Sequence, residues 1–378
     1  MLMEIYIGAK KFPPPARLGH RTLQKSSNFY RGKRVDIVYN FNLGCFVIDQ
    51  EMEKVLVTGG EGFLASFLIK NLLERGYIVN VTLRNLSDDA TVGFLKGLTL
   101  SQTRLHLFEA DIYNPNDFEV AIQGCAFVFH LVTPLIHNEN SIRYKNTSEA
   151  AVDAVKTIAE SCIRCKTVKK LIYTASVMAA SPLKDDGSGY KDVFDETCWS
   201  PLSLTYQMFS DYINSKTLAE KEVLRYNGKG IEVVSLACAL VGGETIQSFL
   251  SGSMNVLIAQ ALNDETLYKG LRELEDLDSK VPIAHVQDVI EAHIFAMEIS
   301  EMNGRFLVAS DFLKSVEIAS LIQKHYPDIT IPPEFIEDTK RETKWGSRKL
   351  EDLGFEYKFD ADKIIYDSIA CAKRLGAI

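Results

Sequence analysis

No uninterrupted apolar run in this 378-residue chain approaches the roughly 18–20 residues that cross a bilayer, so no membrane-spanning helix is expected. Basic charge is in short supply, with 42 Lys and Arg against 50 Asp and Glu and a formal net charge of −8. That acidic balance argues against a non-specific binder of nucleic acid or anionic membrane. Internal repeats and low-complexity tracts are missing. A composition of 46% hydrophobic and 24% charged residues excludes disordered, collagen-like and coiled-coil chains. Cysteine is scattered and odd in number, seven in all, with no secretory apolar segment ahead of it. Such usage reads as reduced thiols in a cytosolic-type compartment, and the glycosylation-like matches at Asn80, Asn85 and Asn146 then read as chance. The length suits one large domain or two moderate ones.

Acid is nearly absent from Met1–Arg34, where Glu4 stands against eight basic residues and a Pro13-Pro14-Pro15 run. A leader of this kind is either a transit segment addressed to a plastid, a disordered tail, or an over-extended start ahead of Met52. Residues 1–52 are therefore set apart as an N-terminal extension, and the expected location is cytoplasmic unless the leader acts as an address.

From Lys54 the pattern becomes an alternation of strands and helices. Val55-Leu56-Val57 is a continuous apolar run, as a strand buried on both faces requires. Phe63, Phe67, Leu68, Leu72 and Leu73 then recur at helical spacing until Gly76 stops the helix. Further strands are predicted at Ile78–Leu83, Leu105–Ala110, Phe127–Leu131, Lys170–Ser176 and Glu232–Val241, with helices over Ser148–Arg164 and Ser210–Tyr226. The succession implies an α/β fold: a Rossmann, doubly wound parallel sheet with helices on both faces. Residues 53–243 are expected to form that domain and 244–378 mainly a smaller α+β substrate domain, with 281–309 returning to the first.

Thr58-Gly59-Gly60-Glu61-Gly62-Phe63-Leu64-Ala65 lies between the first strand and the first helix, where a dinucleotide pyrophosphate is held. Gly59 permits the tight turn, Gly62 admits the phosphates, and small Ala65 lets helix pack on strand. The helix start at Phe63 and Leu64 offers N–H groups and positive dipole to the anion. Where NAD enzymes carry an acid at the end of the second strand, this chain has Arg84 and Asn85, a cation that suits a 2′-phosphate; NADPH is the expected cofactor. Asp111, with Ile112, closes the third strand in position to meet the adenine.

Tyr212 and Lys216 stand one helical turn apart, and Ser176 ends a strand 36 residues earlier. A phenol with pKa near 10 exchanges protons poorly at pH 7 unless a neighbouring cation lowers that value. Lys216 is expected to do so and to bind the nicotinamide ribose. Tyr212 would protonate a substrate oxygen that Ser176 polarises, which makes these two residues substrate contacts as well.

With these residues in place, the chain from about Lys54 onward resembles the extended short-chain dehydrogenase/reductases of the plant dihydroflavonol reductase group, nearest to anthocyanidin reductases and vestitone reductase-type enzymes. The resemblance rests on Gly124-Cys125-Ala126-Phe127-Val128-Phe129-His130 with Thr133-Pro134, on Lys216-Thr217-Leu218-Ala219-Glu220-Lys221, and on Pro282-Ile283-Ala284-His285-Val286-Gln287-Asp288-Val289 with Ala292-His293-Ile294-Phe295. Gly304-Arg305-Phe306 and Lys349-Leu350 to Gly354-Phe355 match too. It implies NADPH-dependent reduction of a small phenolic, flavonoid-like substrate in a cleft between the two domains. Ala65-Ser66 resembles anthocyanidin reductases. Ser181 falls where dihydroflavonol reductases carry an Asn on the flavonoid B-ring, and it is the expected substrate contact there.

Several positions depart from the family pattern. Leu131-Val132, ahead of Thr133, replaces Val-Ala beside the nicotinamide, and Cys238-Ala239 replaces the Pro-Thr or Pro-Ser pair of the carboxamide pocket. Ser210, Thr157 and Ala154 replace a Trp, an Asn and a Gly. Three further readings are therefore open: a different plant ketone reductase acting on a phenolic or alkaloid, a dihydroflavonol 4-reductase, and a catalytically silent NADPH-binding paralogue. No metal is expected. Cys162 and Cys165 read as ordinary thiols, His130, His285 and His293 as packed histidines, and Glu273–Asp278 as a solvated helix face. The oligomeric state, monomer or dimer, is open.

Overall fold

The computed structural model describes residues 24–30, 33–39, 46–49, 53–340 and 343–378. The chain divides into a unit over Met1–Glu51 and a larger one over Met52–Ile378. In the first, strands Gln24–Tyr30, Lys33–Tyr39 and Phe46–Asp49 form an antiparallel sheet. The proline run and the basic start of the leader, and with them the targeting expectation, lie outside the described residues.

The larger unit is built on a seven-stranded, wholly parallel sheet. In chain order its strands are β1 (Lys54–Thr58), β2 (Ile78–Leu83), β3 (Leu105–Glu109), β4 (Phe127–His130), β5 (Lys170–Ser176) and β6 (Glu232–Cys238). Gly304–Val308 adds the seventh at the β6 edge, so that β1 lies between β2 and β4. Connection direction reverses at β1/β4, and that crevice is where open α/β sheets take ligands. Burial explains the strands: β5 is buried along its whole length, and Val55, Leu56 and Val57 have no exposed surface. Helices α1 (Phe63–Glu74), α2 (Thr147–Cys165) and α3 (Ser210–Leu224) connect strands, and α2 packs along α3. Gly76, at φ +87°, ends the α1 turn as the sequence implied.

One predicted strand is broken. Glu232–Val241 divides at Ala239, whose N–H bonds Val308. Beyond it, Leu240–Gly242 pairs with Val281–His285, which pairs in turn with Asp311–Leu313 in a separate three-stranded sheet. The chain thus leaves the central sheet for a second one without changing its apolar character, which is why periodicity cannot mark the break. Of the segment 281–309, Gly304–Val308 joins the central sheet while Val281–His285 lies in the small one. Around the small sheet a second hydrophobic cluster gathers Ile213, Leu257, Leu271, Ile283, Ile318 and Ile364.

The acidic run Glu273–Asp278 is a correction to the sequence reading. It ends helix α4 (Glu265–Asp278), but Glu275 and Asp278 are fully buried rather than solvated. Glu275 accepts from Arg272, Ser315 and Thr339, which explains how that carboxylate tolerates the interior. Burial pushes the Asp278 carboxyl well above its ordinary value.

Candidate functional site

The glycine turn follows β1. Gly59 has φ +70°, and the Gly60 N–H bonds the Thr82 carbonyl of β2 at 2.9 Å. A Cβ on Gly60 would lie 2.3 Å from Val81 Cγ1, so this glycine, unassigned in the motif reading, is required by the close approach of turn and strand. α1 begins at Phe63, and Gly62 at its N-cap position offers no side-chain cap. Its first N–H groups, at Phe63 and Leu64, are left for an outside acceptor. The turn therefore fits a dinucleotide pyrophosphate.

Thr58 is fully buried, and its hydroxyl ties β1 to β4. Its Oγ1 meets His130 Nδ1 at 3.0 Å and accepts the Leu131 and Val132 N–H groups at 3.0 and 3.3 Å. Thr58 thus positions the Leu131-Val132-Thr133 segment rather than opening toward a ligand itself. Those three residues are half-buried at the crevice. Asp111 is half-buried, Ile112 is buried, and Asp111 Oδ1 accepts the Tyr113 N–H at 2.9 Å, which orients the carboxylate at the end of β3.

Arg84 follows β2 as expected, but it has a partner that sequence reasoning missed. Its Nε lies 3.1 Å from Oε1 of Glu61, inside the glycine turn. The signal was present in the sequence as an acid within an anion-binding turn. Gln247 was also missed; its Nε2 donates to the Glu61 carbonyl at 2.9 Å from a distant part of the chain. No local pattern could have marked it.

Ser176, Tyr212 and Lys216 come together at the carboxyl end of the sheet. Ser176 ends β5 opposite Cys238 at the end of β6. Its Oγ accepts the Met178 N–H at 3.2 Å, and the side chain stands close enough to the Tyr212 phenol to act on its proton affinity. Lys216 is buried and donates from Nζ to the Thr174 carbonyl at 2.8 Å. Its ammonium lies 5.9 Å from the centre of the Tyr212 ring. Burial lowers Lys216 to about 8. Burial also raises Tyr212 to about 12, with the Ser176 contact as the lowering influence. The expectation that the phenol is held below its ordinary value is therefore reversed: desolvation raises it, and Ser176 only partly offsets that rise. Cys238 is buried beside this group, and its thiol is pushed up to about 12 by burial while Lys216 lowers it. The thiol is thus neutral.

Ser181 stands apart from this group. It is fully buried, donates to the Leu277 carbonyl at the end of α4, and accepts the Leu183 N–H at 3.0 Å. Its hydroxyl is engaged in holding the segment after β5. Among the departures, Ser210 braces the start of α3 by exchanging hydrogen bonds with the Tyr206 backbone at 2.8 and 3.0 Å. His130 is pushed down to about 3 by burial, and His293 bridges Thr174 and the Val289 carbonyl, so both are packed, hydrogen-bonded histidines. Cys162 and Cys165 carry free thiols. Among the described residues no group of three or more His, Cys, Asp or Glu is arranged to hold a metal, and no helix is long and apolar enough to cross a membrane.

A doubly wound sheet with a glycine turn at its first crossover, and Ser, Tyr and Lys converging beside it, defines a nicotinamide-dependent oxidoreductase of the short-chain dehydrogenase/reductase type. The chain belongs to the NAD dependent epimerase/dehydratase family, whose profile matches residues 55–309. It is 35% identical over 337 residues to vestitone reductase of Medicago sativa, covering 85% of this chain and 98% of that protein. It is 32% identical over 328 residues to an anthocyanidin reductase ((2S)-flavan-3-ol-forming) of Vitis vinifera, covering 85% and 96%. The crystal structure of vestitone reductase from alfalfa superposes with a TM-score of 0.71 at 32% identity, covering 86% of this chain and 99% of that one. The protein is an NAD(P)-dependent reductase of this family, and NADPH is consistent with both the family and the cation at Arg84.

Proposed function

We propose that the protein reduces a flavonoid-type polyphenol with NADPH, with anthocyanidin to flavan-3-ol as the leading reaction. The observation that carries this reading is the meeting of Ser176 and Lys216 at Tyr212. When bound, NADPH supplies a hydride from C4 of its nicotinamide. Gly59, Gly62 and the N–H groups of Phe63 and Leu64 would hold the pyrophosphate, and Thr58 would keep Leu131, Val132 and Thr133 in place beside the nicotinamide, with Cys238 opposite. Arg84 would meet the 2′-phosphate, and Asp111 with Ile112 the adenine.

Tyr212 is the acid in this reading. With a pKa of about 12 it keeps its proton at neutral pH until negative charge develops on the substrate oxygen. Ser176 donates a second hydrogen bond to the same oxygen. Lys216, near 8, is mostly charged at neutral pH; it stabilises the phenolate left behind and offers a donor to the ribose.

A second reading, ketone reduction of a dihydroflavonol, an isoflavanone or an alkaloid, is favoured by one observation. The Ser176 side chain stands close enough to Tyr212 to lower its pKa, so both hydroxyls can serve one carbonyl oxygen. The test is NADPH oxidation by the purified protein against anthocyanidins, dihydroflavonols and isoflavanones, with Tyr212→Phe as control. Turnover of one class, reduced about 100-fold or more in the variant, supports the reading and selects the substrate. Tight NADPH binding with no turnover of any class would replace it with a silent cofactor-binding paralogue.

A further inference from the structure

The ion pair between Glu61 and Arg84 has consequences for cofactor choice. Thr58 and Thr82 are paired across β1 and β2, so the turn after β1 and the residue after β2 share one end of the sheet. Glu61 Oε1 reaches Arg84 Nε at 3.1 Å there; the arginine side chain is 70% exposed and that of the glutamate 27%. Glu61 Oε2 is buried and has no hydrogen-bond partner among the described residues. The backbone of Glu61 is fixed by Gln247, so the carboxylate is presented by an anchored turn.

We infer that Glu61 is a specificity-determining residue that opposes the cofactor's 2′-phosphate and accepts from a free ribose 2′-hydroxyl, so that the site binds NADH alongside NADPH. The inference rests on the cofactor-site reading above. A phosphate monoester carries nearly two negative charges at neutral pH. To reach Arg84 it must enter beside a carboxylate that already neutralises the guanidinium. A ribose hydroxyl meets the opposite situation, because a carboxylate at this end of the sheet is the acceptor that NAD-binding sites supply. Arg84 alone predicts strong discrimination for NADPH; the pair predicts a weaker one.

The test uses the full chain and two nucleotides that differ only in the group at issue, adenosine 2′,5′-bisphosphate and adenosine 5′-monophosphate, titrated by calorimetry. Glu61→Gln keeps the backbone carbonyl for Gln247 and removes the charge. The preference for the bisphosphate should rise about fivefold in the variant, the scale of one partly exposed ion pair. Glu61→Thr, checked with its partner variant by thermal melting, should move the ratio in the same direction. A ratio unchanged within about twofold, or one that falls, overturns the inference while leaving the cofactor site standing. Loss of the folded state in both variants also overturns it, because Glu61 then serves the turn and not the choice of nucleotide. If the native protein binds neither nucleotide, the site reading itself fails, and the inference with it.

Discussion

Arg305 and Glu220 meet in the interior through two charge-assisted hydrogen bonds, Nε to Oε1 at 2.9 Å and Nη2 to Oε2 at 3.1 Å. The remaining guanidinium protons go to the carbonyls of Ala179, Glu196 and Cys198, and the group lies 3.6 Å from the centre of the Trp199 ring. Ser235 donates to the same carboxylate at 2.6 Å. Glu220 is one turn beyond Lys216 on α3, and Ala179 is three residues beyond Ser176. The pair therefore fastens the helix that carries Tyr212 and Lys216 to the strand end that carries Ser176.

Breaking this pair from one side leaves a buried charge without its partner. Arg305→Met should cost about 3–5 kcal/mol of stability in urea unfolding, and Arg305→Met with Glu220→Met should recover most of it, since two apolar chains can fill the space of a buried ion pair. A double variant no more stable than the single one would show that the surrounding backbone contacts, and not the uncompensated carboxylate, dominate.

Ser181 separates a structural role from a substrate role. Ser181→Ala leaves the Leu277 carbonyl and the Leu183 N–H without their hydroxyl partner. The expected outcome is a loss of about 1–3 kcal/mol in unfolding free energy, with the KM for the accepted polyphenol unchanged within about twofold. A raised KM at unchanged stability would return Ser181 to the substrate pocket.

The parts of this site legible in the sequence are those fixed by short-range backbone demands. The glycine turn must follow a buried strand and open a helix, and Tyr212 and Lys216 share a face because four residues make one helical turn. What was not legible depends on partners far along the chain. Glu61 meets Arg84 across 23 positions and Gln247 meets Glu61 across 186. The buried end of α4 looked solvated because charge pattern reports composition, whereas the partners of Glu275 come from Ser315 and Thr339. The Tyr212 pKa moved opposite to expectation because desolvation depends on packing that no spacing reveals.

Three buried histidines should make the fold less stable in acid. Burial holds His130 at about 3 and His285 and His293 at about 4, against an ordinary value of 6.5. Below pH 6.5 the unfolded chain takes up protons that the native histidines refuse, so stability falls as pH drops from about 6.5 toward 4 and is unaffected by them above 7. Each contributes at most about 1.4 kcal/mol per pH unit in that window. Urea midpoints measured at pH 7, 6 and 5 should fall steadily, and His293→Asn should flatten the decline. Midpoints that hold constant from pH 7 to 5 would mean that these side chains titrate normally.

Gly60 offers a steric test of the cofactor turn. A methyl group there would meet Val81 Cγ1 at 2.3 Å, with Leu83 Cδ2 at 3.2 Å and Ile69 Cδ1 at 3.4 Å behind it. Gly60→Ala must therefore push the turn off β2, straining the bond from its N–H to the Thr82 carbonyl and displacing the start of α1. The expected cost is about 1–3 kcal/mol, as for overpacking a filled core, accompanied by weaker NADPH binding in a fluorescence titration. Val81→Ala removes the atom in closest conflict, so the double variant should regain part of both losses despite the added cavity. Affinity that stays low when the stability loss is relieved would show that Gly60 acts through backbone approach to the phosphates, and full affinity in Gly60→Ala alone would show that the turn does not hold them.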